Sequence, residues 1–165
     1  MVEDDLPKTE LDLIHARFLL KHLPEPDQLL RRLASALRPG GLLVVEDADG
    51  LDLVIDSDIA EITQICRAWE RAASSVSWNP SLGGCLVSAL AGCGLNDVQG
   101  VSYRRKAPGG PIWGAVRYGL IRLHDRLVGE GVSAEALALV SRALGDPAHS
   151  ITGAPVAIAW GTRDR

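Results

Sequence analysis

The sequence contains few of the residues that build disulfide frameworks or metal centres. Its 165 residues include three cysteines, Cys66, Cys85 and Cys93. Their number is odd and their spacing matches no metal-binding motif, so we expect buried free thiols rather than a disulfide or a zinc site. The sequence also contains no Ser-His-Asp or Cys-His pattern and no phosphate-binding loop, and therefore none of the common catalytic constellations.

Long apolar runs and an excess of positive charge are also missing. No segment reaches the roughly 18 uninterrupted apolar residues that a membrane-spanning helix needs. The acidic start over Met1–Asp5 is unlike a signal peptide, and these two observations predict a cytoplasmic protein. A net charge of -4 argues against general binding to nucleic acids or membrane surfaces. We interpret the one basic run, Arg104–Lys106, as a solvated strand end.

Hydrophobic patterning predicts a strand–helix–strand unit in the first third of the chain. The apolar residues of Leu11–Ala16 follow no helical period, which is typical of a strand. A helix with Asp27 as its N-cap follows, and Pro39–Gly41 ends it. The apolar run Leu42–Asp47 is typical of a parallel strand that is buried on both faces. We therefore expect a right-handed βαβ unit.

The rest of the chain alternates helical and strand-like segments. The predicted helices cover residues 58–76, 81–92, 113–128 and 133–144, the last with Ser133 as its N-cap, and the predicted strands cover 98–103 and 156–160. No internal repeat or low-complexity segment interrupts this pattern. It predicts one α/β domain over residues 1–165.

Three segments follow one another in an order that is typical of a known family. They read LDLIHARFLLKHLP over residues 11–24, LRPGGLLVVED over 37–47 and AGCGLNDV over 91–98. Together they resemble class I S-adenosylmethionine-dependent methyltransferases of the small-molecule type. The resemblance implies a partial Rossmann-like methyltransferase sheet, made of the family's strands four to seven with flanking helices. It also implies that S-adenosylmethionine is the methyl donor.

The glycine-rich motif with which this family binds its cofactor is absent from the sequence. In the family, the first strand leads into a Gly-x-Gly-x-Gly turn, whose glycines let the backbone approach the ligand closely. The pairs Gly40–Gly41, Gly83–Gly84 and Gly109–Gly110 do not link an apolar strand to a helix as that turn requires. The family's adenine-binding aspartate falls at Val2, beside the acidic run Glu3–Asp5. We therefore expect the chain to supply the C-terminal half of the fold.

Seven residues are candidates for binding the cofactor and the methyl acceptor. The resemblance places His15, Ala16, Arg17 and His22 beside the methionine part of S-adenosylmethionine. Glu46 and Asp47 end a predicted strand, where ligands of open α/β sheets bind and where a carboxylate can orient a substrate or act as a base. Trp78, like Trp69 and Trp113, can wall an acceptor pocket. The alternatives are structural: locally capped histidines, a solvated strand end in which Asp47 caps the turn, and core tryptophans.

A sheet that contains only the family's strands four to seven leaves the predicted strand Leu11–Ala16 as an exposed edge. Exposed edges tend to pair with other chains. We expect a homodimer, or a complex with a separate chain that supplies the glycine-rich half. Three functions remain open: a methyltransferase that is inactive as an isolated monomer, a non-catalytic methyltransferase-like interaction module or relic, and an enzyme with a reduced cofactor site. Methyl transfer depends mainly on alignment of the reactants, so we assign no catalytic residue and no metal. The expected acceptor is a small hydrophobic molecule, because an acidic chain is a poor match for DNA or RNA.

Overall fold

The computed structural model describes residues 10–56, 59–74 and 78–164, and these residues form an α/β fold. The strands are β1 (Leu11–Arg17), β2 (Leu37–Ala48), β3 (Val54–Ile55), β4 (Leu95–Pro108) and β5 (Ser150–Arg163). The α-helices are α1 (Pro26–Ala36), α2 (Glu61–Ser74), α3 (Leu86–Gly92), α4 (Gly114–Arg122), α5 (His124–Gly129) and α6 (Ala134–Gly145). Short 3-10 helices cover Leu20–His22, Leu82–Cys85 and Pro111–Trp113.

The five strands form one mixed sheet. β1 pairs with β2 in parallel, β2 pairs with β5 in antiparallel, and both β3 and β4 pair with β5. In the described residues β1 has β2 as its only neighbour, so it forms an edge of the sheet. The α/β class is confirmed, and the order of β1, β2, β5 and β4 is the order four, five, seven, six that the resemblance implies.

The Pro-Gly-Gly segment lies inside β2 rather than between a helix and a strand. Pairing of β1 with β2 begins at Leu37, one residue after α1 ends, and the register shifts between Leu11 and Leu13. Gly40 has a φ of 75°, which favours glycine. A Cβ on Gly41 would lie 2.8 Å from the carbonyl oxygen of Leu11. Gly40 therefore allows the left-handed backbone conformation at this point of β2, and Gly41 allows the backbones of β1 and β2 to meet closely.

Helix α1 packs the apolar stripe that the sequence predicts. Leu29, Leu30, Leu33 and Ala34 are buried, and Leu37 continues the stripe at the helix end. The predicted N-cap is wrong: the helix begins at Pro26, the N-cap is Glu25, and no side chain caps the first turn. Asp27 lies within that turn, where a negative charge suits the helix dipole.

Two compact units make up the described chain, each with its own apolar core. The first contains residues 10–49, 78–103 and 156–164, and the second contains 50–56, 59–74 and 104–155. The core of the second unit gathers residues of α2, α4, α5 and α6, including Ile65, Leu127 and Leu144. The prediction of a single domain stays a prediction.

One face of the sheet in the first unit is covered by helices. Ala16 of β1, Leu43 and Val45 of β2 and Ala159 of β5 are buried against residues of α1 and α3. Neighbouring side chains of a strand point to opposite faces. The alternate residues are accordingly less buried: the side chain of Leu13 is 56% exposed, and Leu42, Val44 and Trp160 are half-buried.

Several helix boundaries differ from the predictions because helical periodicity does not reveal short irregular turns. The predicted helix over 81–92 begins with a 3-10 turn, and the predicted helix over 113–128 divides into a 3-10 turn, α4 and α5. β3 has two residues and was not predicted. The ends of the predicted helix 58–76 lie outside the described residues. The predicted N-cap Ser133 is confirmed, since its Oγ accepts a hydrogen bond from the N–H of Ala136. Among the described helices, none is long and apolar enough to cross a membrane.

Gly41→Ala should destabilise the fold by about 1–3 kcal/mol, because the new methyl group meets backbone atoms of β1 and of Arg38 that cannot move independently. Gly92→Ala is the matched control, since a Cβ there meets nothing within 4 Å and alanine suits a helix. Chemical denaturation of the two variants measures the difference. Equal stability of both variants would contradict the close approach of β1 and β2.

Candidate functional site

The candidate site lies where the parallel strands β1 and β2 both end. Arg17 is paired with Glu46 in the strand register, and their side chains form an ion pair with Nε and Oε2 3.3 Å apart. The other carboxylate oxygen of Glu46 lies 2.9 Å from Nε2 of His15. Glu46, a predicted acceptor-binding residue, therefore contacts two predicted cofactor-binding residues, His15 and Arg17. The three side chains lie at the carboxyl ends of the strands, where ligands of α/β sheets bind.

Asp47 is fully buried, and its carboxylate is bound from within the chain. The backbone N–H of Lys21 donates to Oδ2 at 3.1 Å, and the N–H of Ala48 donates to Oδ1 at 3.0 Å. Nζ of Lys21 lies 3.6 Å from Oδ1. Asp47 does hydrogen-bond its own turn, as the structural alternative suggested, but it does not lie at a solvated strand end.

Lys21 is the central residue that the sequence analysis did not identify. Its side chain is only 13% exposed, and burial lowers the pKa of its ammonium group while the charge of Asp47 opposes that change. The ammonium lies over the ring of Phe18, 4.6 Å from the ring centre, and 5.9 Å from the ring centre of Trp78. Cation–π attraction of this kind strengthens when the cation is withdrawn from water.

Trp78 and His22 form the aromatic side of the site. Their rings stack with centres 6.3 Å apart and planes inclined by 17°. The N–H of Asn79 donates to the carbonyl of Lys21 at 2.8 Å, which fixes the segment carrying Trp78 against the segment that follows β1. Burial lowers the pKa of the His22 imidazole, the Lys21 charge lowers it further and Asp47 opposes both effects. A neutral imidazole at pH 7 follows from that shift.

The remaining predicted residues are placed as follows. The side chain of Ala16 is buried in the core of the first unit, so only its backbone can face a ligand. Trp113 is buried in the core of the second unit and Trp69 packs against that core, which supports the structural alternative for both. All three cysteines are free, but only Cys66 is buried: Cys93 is half-buried and Cys85 is exposed, so the prediction of buried thiols is wrong for Cys85 and met only in part by Cys93. The adenine contact predicted near Val2 lies outside the described residues.

The described residues fit one side of an S-adenosylmethionine site. The strand end 15–17 and the exposed ring of Phe18 are available to a ligand at the edge of the sheet. The 165 residues contain no Gly-x-Gly-x-Gly turn for the other side. Within the described residues, no three His, Cys, Asp or Glu side chains are grouped to hold a metal ion.

A cavity of about 440 Å³ lies elsewhere in the first unit. Arg31, Pro39, Cys93 and Arg163 are among its lining residues. Pro39 is near the start of β2, whereas Asp47 is near its end, so this cavity is separate from the candidate site. Arg163 is already engaged there, because it donates hydrogen bonds to the carbonyls of Ser35 and Leu37 at the end of α1.

A family model described as a methyltransferase domain matches residues 2–85, just over half of the chain. Methyltransferase str3 of Strobilurus tenacellus is 31% identical to the chain over 90 residues, which are 52% of this chain. Those residues are 32% of str3, so the chain spans about a third of the length of that curated relative.

Two solved structures share the fold. The YcgJ protein of Bacillus subtilis superimposes with a TM-score of 0.51 at 11% identity, covering 97% of this chain and 67% of YcgJ. The BH2331 protein of Bacillus halodurans C-125, a candidate methyltransferase, gives a TM-score of 0.50 at 12% identity and covers 97% and 74% of the two chains. The match of the family model and the shared fold lead to one conclusion: this chain belongs to the class I S-adenosylmethionine-dependent methyltransferase family.

Proposed function

We propose that the chain forms the acceptor side of a methyltransferase that transfers the methyl group of S-adenosylmethionine to a small molecule. The observation that carries this proposal is the meeting of Glu46, His15 and Arg17 at the carboxyl ends of two parallel strands, next to the Lys21 and Trp78 contacts. Ligands of α/β sheets bind at this end of the strands.

Methyl transfer is an in-line displacement at a sulfonium, and it requires little from side chains beyond alignment of the two reactants. In this proposal, the backbone of residues 15–17 runs beside the methionine part of the cofactor. Arg17 and His15 remain fixed by Glu46, and Trp78 and His22 provide flat surfaces for the acceptor. The net charge of -4 favours a small molecule over a nucleic acid as the acceptor.

The other side of the cofactor site is proposed to come from a glycine-rich half that pairs with β1. Among the described residues, nothing pairs with the outer edge of β1, and the sheet face beside it exposes Leu13 and leaves Val44 and Trp160 half-buried. Strand β4, which pairs only with β5 in the described residues, carries the cationic run Arg104–Lys106, and charges of this kind discourage edge pairing. When the glycine-rich half is missing, two copies of the chain are expected to pair through β1.

Leu13→Lys should convert a self-associated chain to a monomer without unfolding it, because a lysine on an edge strand opposes pairing. Val101→Lys is the matched control: Val101 is 53% exposed, similar to Leu13, but lies on β4. Light scattering of the wild type and both variants measures the mass. A wild-type chain that stays monomeric at high concentration, or equal effects of the two variants, would contradict pairing through β1.

Calorimetry with S-adenosylmethionine tests the cofactor side directly. We expect no saturable binding by the purified 165-residue chain at micromolar concentrations, and binding once a complementary glycine-rich half is added. Micromolar binding by the chain alone would show a complete site and refute the proposal of a shared one. Failure of the glycine-rich half to restore binding would favour the second candidate function, a non-catalytic interaction module.

A further inference from the structure

Lys21 carries a largely buried positive charge with few acceptor oxygens near it among the described residues. An ammonium group has three N–H donors. In the described part of the chain, the one oxygen paired with Nζ is Oδ1 of Asp47, at 3.6 Å, which is longer than a normal hydrogen bond. A buried charge without hydrogen bonds is costly, so the group gains from an additional acceptor.

Trp78 provides a second unused donor at the same place. Its indole Nε1 is buried and has no hydrogen-bond partner in the described residues. The ammonium of Lys21 lies over this ring. A buried donor left without a partner destabilises a protein, so it gains from a ligand that supplies an acceptor. An ammonium with one distant carboxylate oxygen and an indole N–H with no partner in the described residues together indicate a ligand group that is rich in acceptor oxygens.

Asp47 does not compete fully for the ammonium. Each of its oxygens already accepts a hydrogen bond from a backbone N–H, from Lys21 and from Ala48. The carboxylate therefore stays stabilised when Lys21 also contacts a second anion. Lowering of the Lys21 pKa by burial points the same way, since a nearby anion would restore the preference for the charged form.

Aromatic surfaces enclose the two donors. The ring of Phe18 is 36% exposed and lies under the ammonium, and the imidazole of His22 stacks on Trp78. Flat rings of this kind pack against aromatic ligands. The five residues Phe18, Lys21, His22, Asp47 and Trp78 are called the Lys21 cluster below.

We propose that the Lys21 cluster binds the carboxylate or phenolate oxygens of an aromatic methyl acceptor, with the Lys21 ammonium and the Trp78 indole N–H as the donors. This inference rests on the proposed function, because it assigns the substrate class of the same site. The ligand's negative oxygens contact Lys21, and its ring lies against Phe18 or Trp78. The group that accepts the methyl is a different atom of that molecule.

Benzoate is the probe for this site, and nuclear magnetic resonance of the 15N-labelled 165-residue chain is the measurement. Benzoate should shift the indole N–H signal of Trp78 in a saturable way, with that signal assigned by its loss in Trp78→Phe. Benzamide, which has the same shape without the charge, and benzylamine, which has the opposite charge, should bind at least about tenfold more weakly.

Lys21→Met should weaken benzoate binding at least about tenfold, because it removes the charged donor and keeps a long apolar side chain. Lys106→Met is the matched control: it makes the same substitution at an exposed lysine on β4 and should leave binding unchanged. The comparison of the three probes on the wild type needs no variant and stays decisive if Lys21→Met does not fold.

Three results would overturn the inference: no saturable benzoate binding by the wild type, binding of benzamide or benzylamine as tight as that of benzoate, or unchanged benzoate binding in Lys21→Met. These results are separable from the proposed function. Restored S-adenosylmethionine binding in the complemented complex without benzoate binding refutes only the acceptor class. Benzoate binding by the chain, together with failure of the complemented complex to bind S-adenosylmethionine, refutes the methyltransferase proposal while leaving an anion site at Lys21.

Discussion

The contact between Asp47 and Lys21 is the constraint that holds the candidate site together. A fully buried carboxylate is tolerated only when its charge is matched and its oxygens are hydrogen-bonded. Asp47 meets both conditions by binding the backbone N–H and facing the ammonium of a residue 26 positions earlier in the chain. The segment after β1 is thereby fixed to the end of β2, with the rings of Phe18 and Trp78 both near the ammonium.

The sheet of the first unit explains why this site is one-sided. Helices α1 and α3 bury one face through Ala16, Leu43 and Val45. The opposite face carries the His15, Arg17 and Glu46 network together with exposed or half-buried apolar residues. A surface that combines an unpaired strand edge with partly exposed apolar side chains is suited to being covered. The fold and the site thus support the same proposal, in which a glycine-rich half pairs with β1 and supplies the other side of the cofactor site.

Local sequence signals were sufficient for the elements that position the site. The apolar stripe of α1 and the unbroken apolar run of β2 are properties of neighbouring residues, so both elements were predicted. The end of β2 was predicted to within one residue, but the strand begins at Leu37, five residues before the predicted start. The short 3-10 turn before α3 and the two-residue β3 carry no periodic signal and were missed. Pro39–Gly41 was predicted as a helix stop, whereas Gly41 allows the close approach of two strands, which is a contact between distant residues.

The sequence predicted most directly those residues of the candidate site that lie at the end of a recognisable strand. Glu46 and Asp47 come at the end of an apolar strand, so their position at the carboxyl end of β2 was predictable. The difference in burial between the two side chains was not. Lys21 was overlooked because its role depends on a parallel register that brings it to Asp47. One signal was available: Lys21 follows the apolar run Phe18–Leu20 and precedes Leu23, and a lysine in such a setting requires a partner. The stacking of His22 on Trp78 joins residues that are 56 positions apart and left no sequence signal.

A double-mutant cycle between Lys21 and Asp47 tests the central contact most directly. Unfolding free energies of Lys21→Met, Asp47→Asn and the double variant are measured by denaturant titration. Each single variant leaves an unmatched group in the buried site, so the two effects should be coupled by about 1 to 3 kcal/mol. Effects that add to within about 0.5 kcal/mol would show that the two residues act independently and would contradict the account.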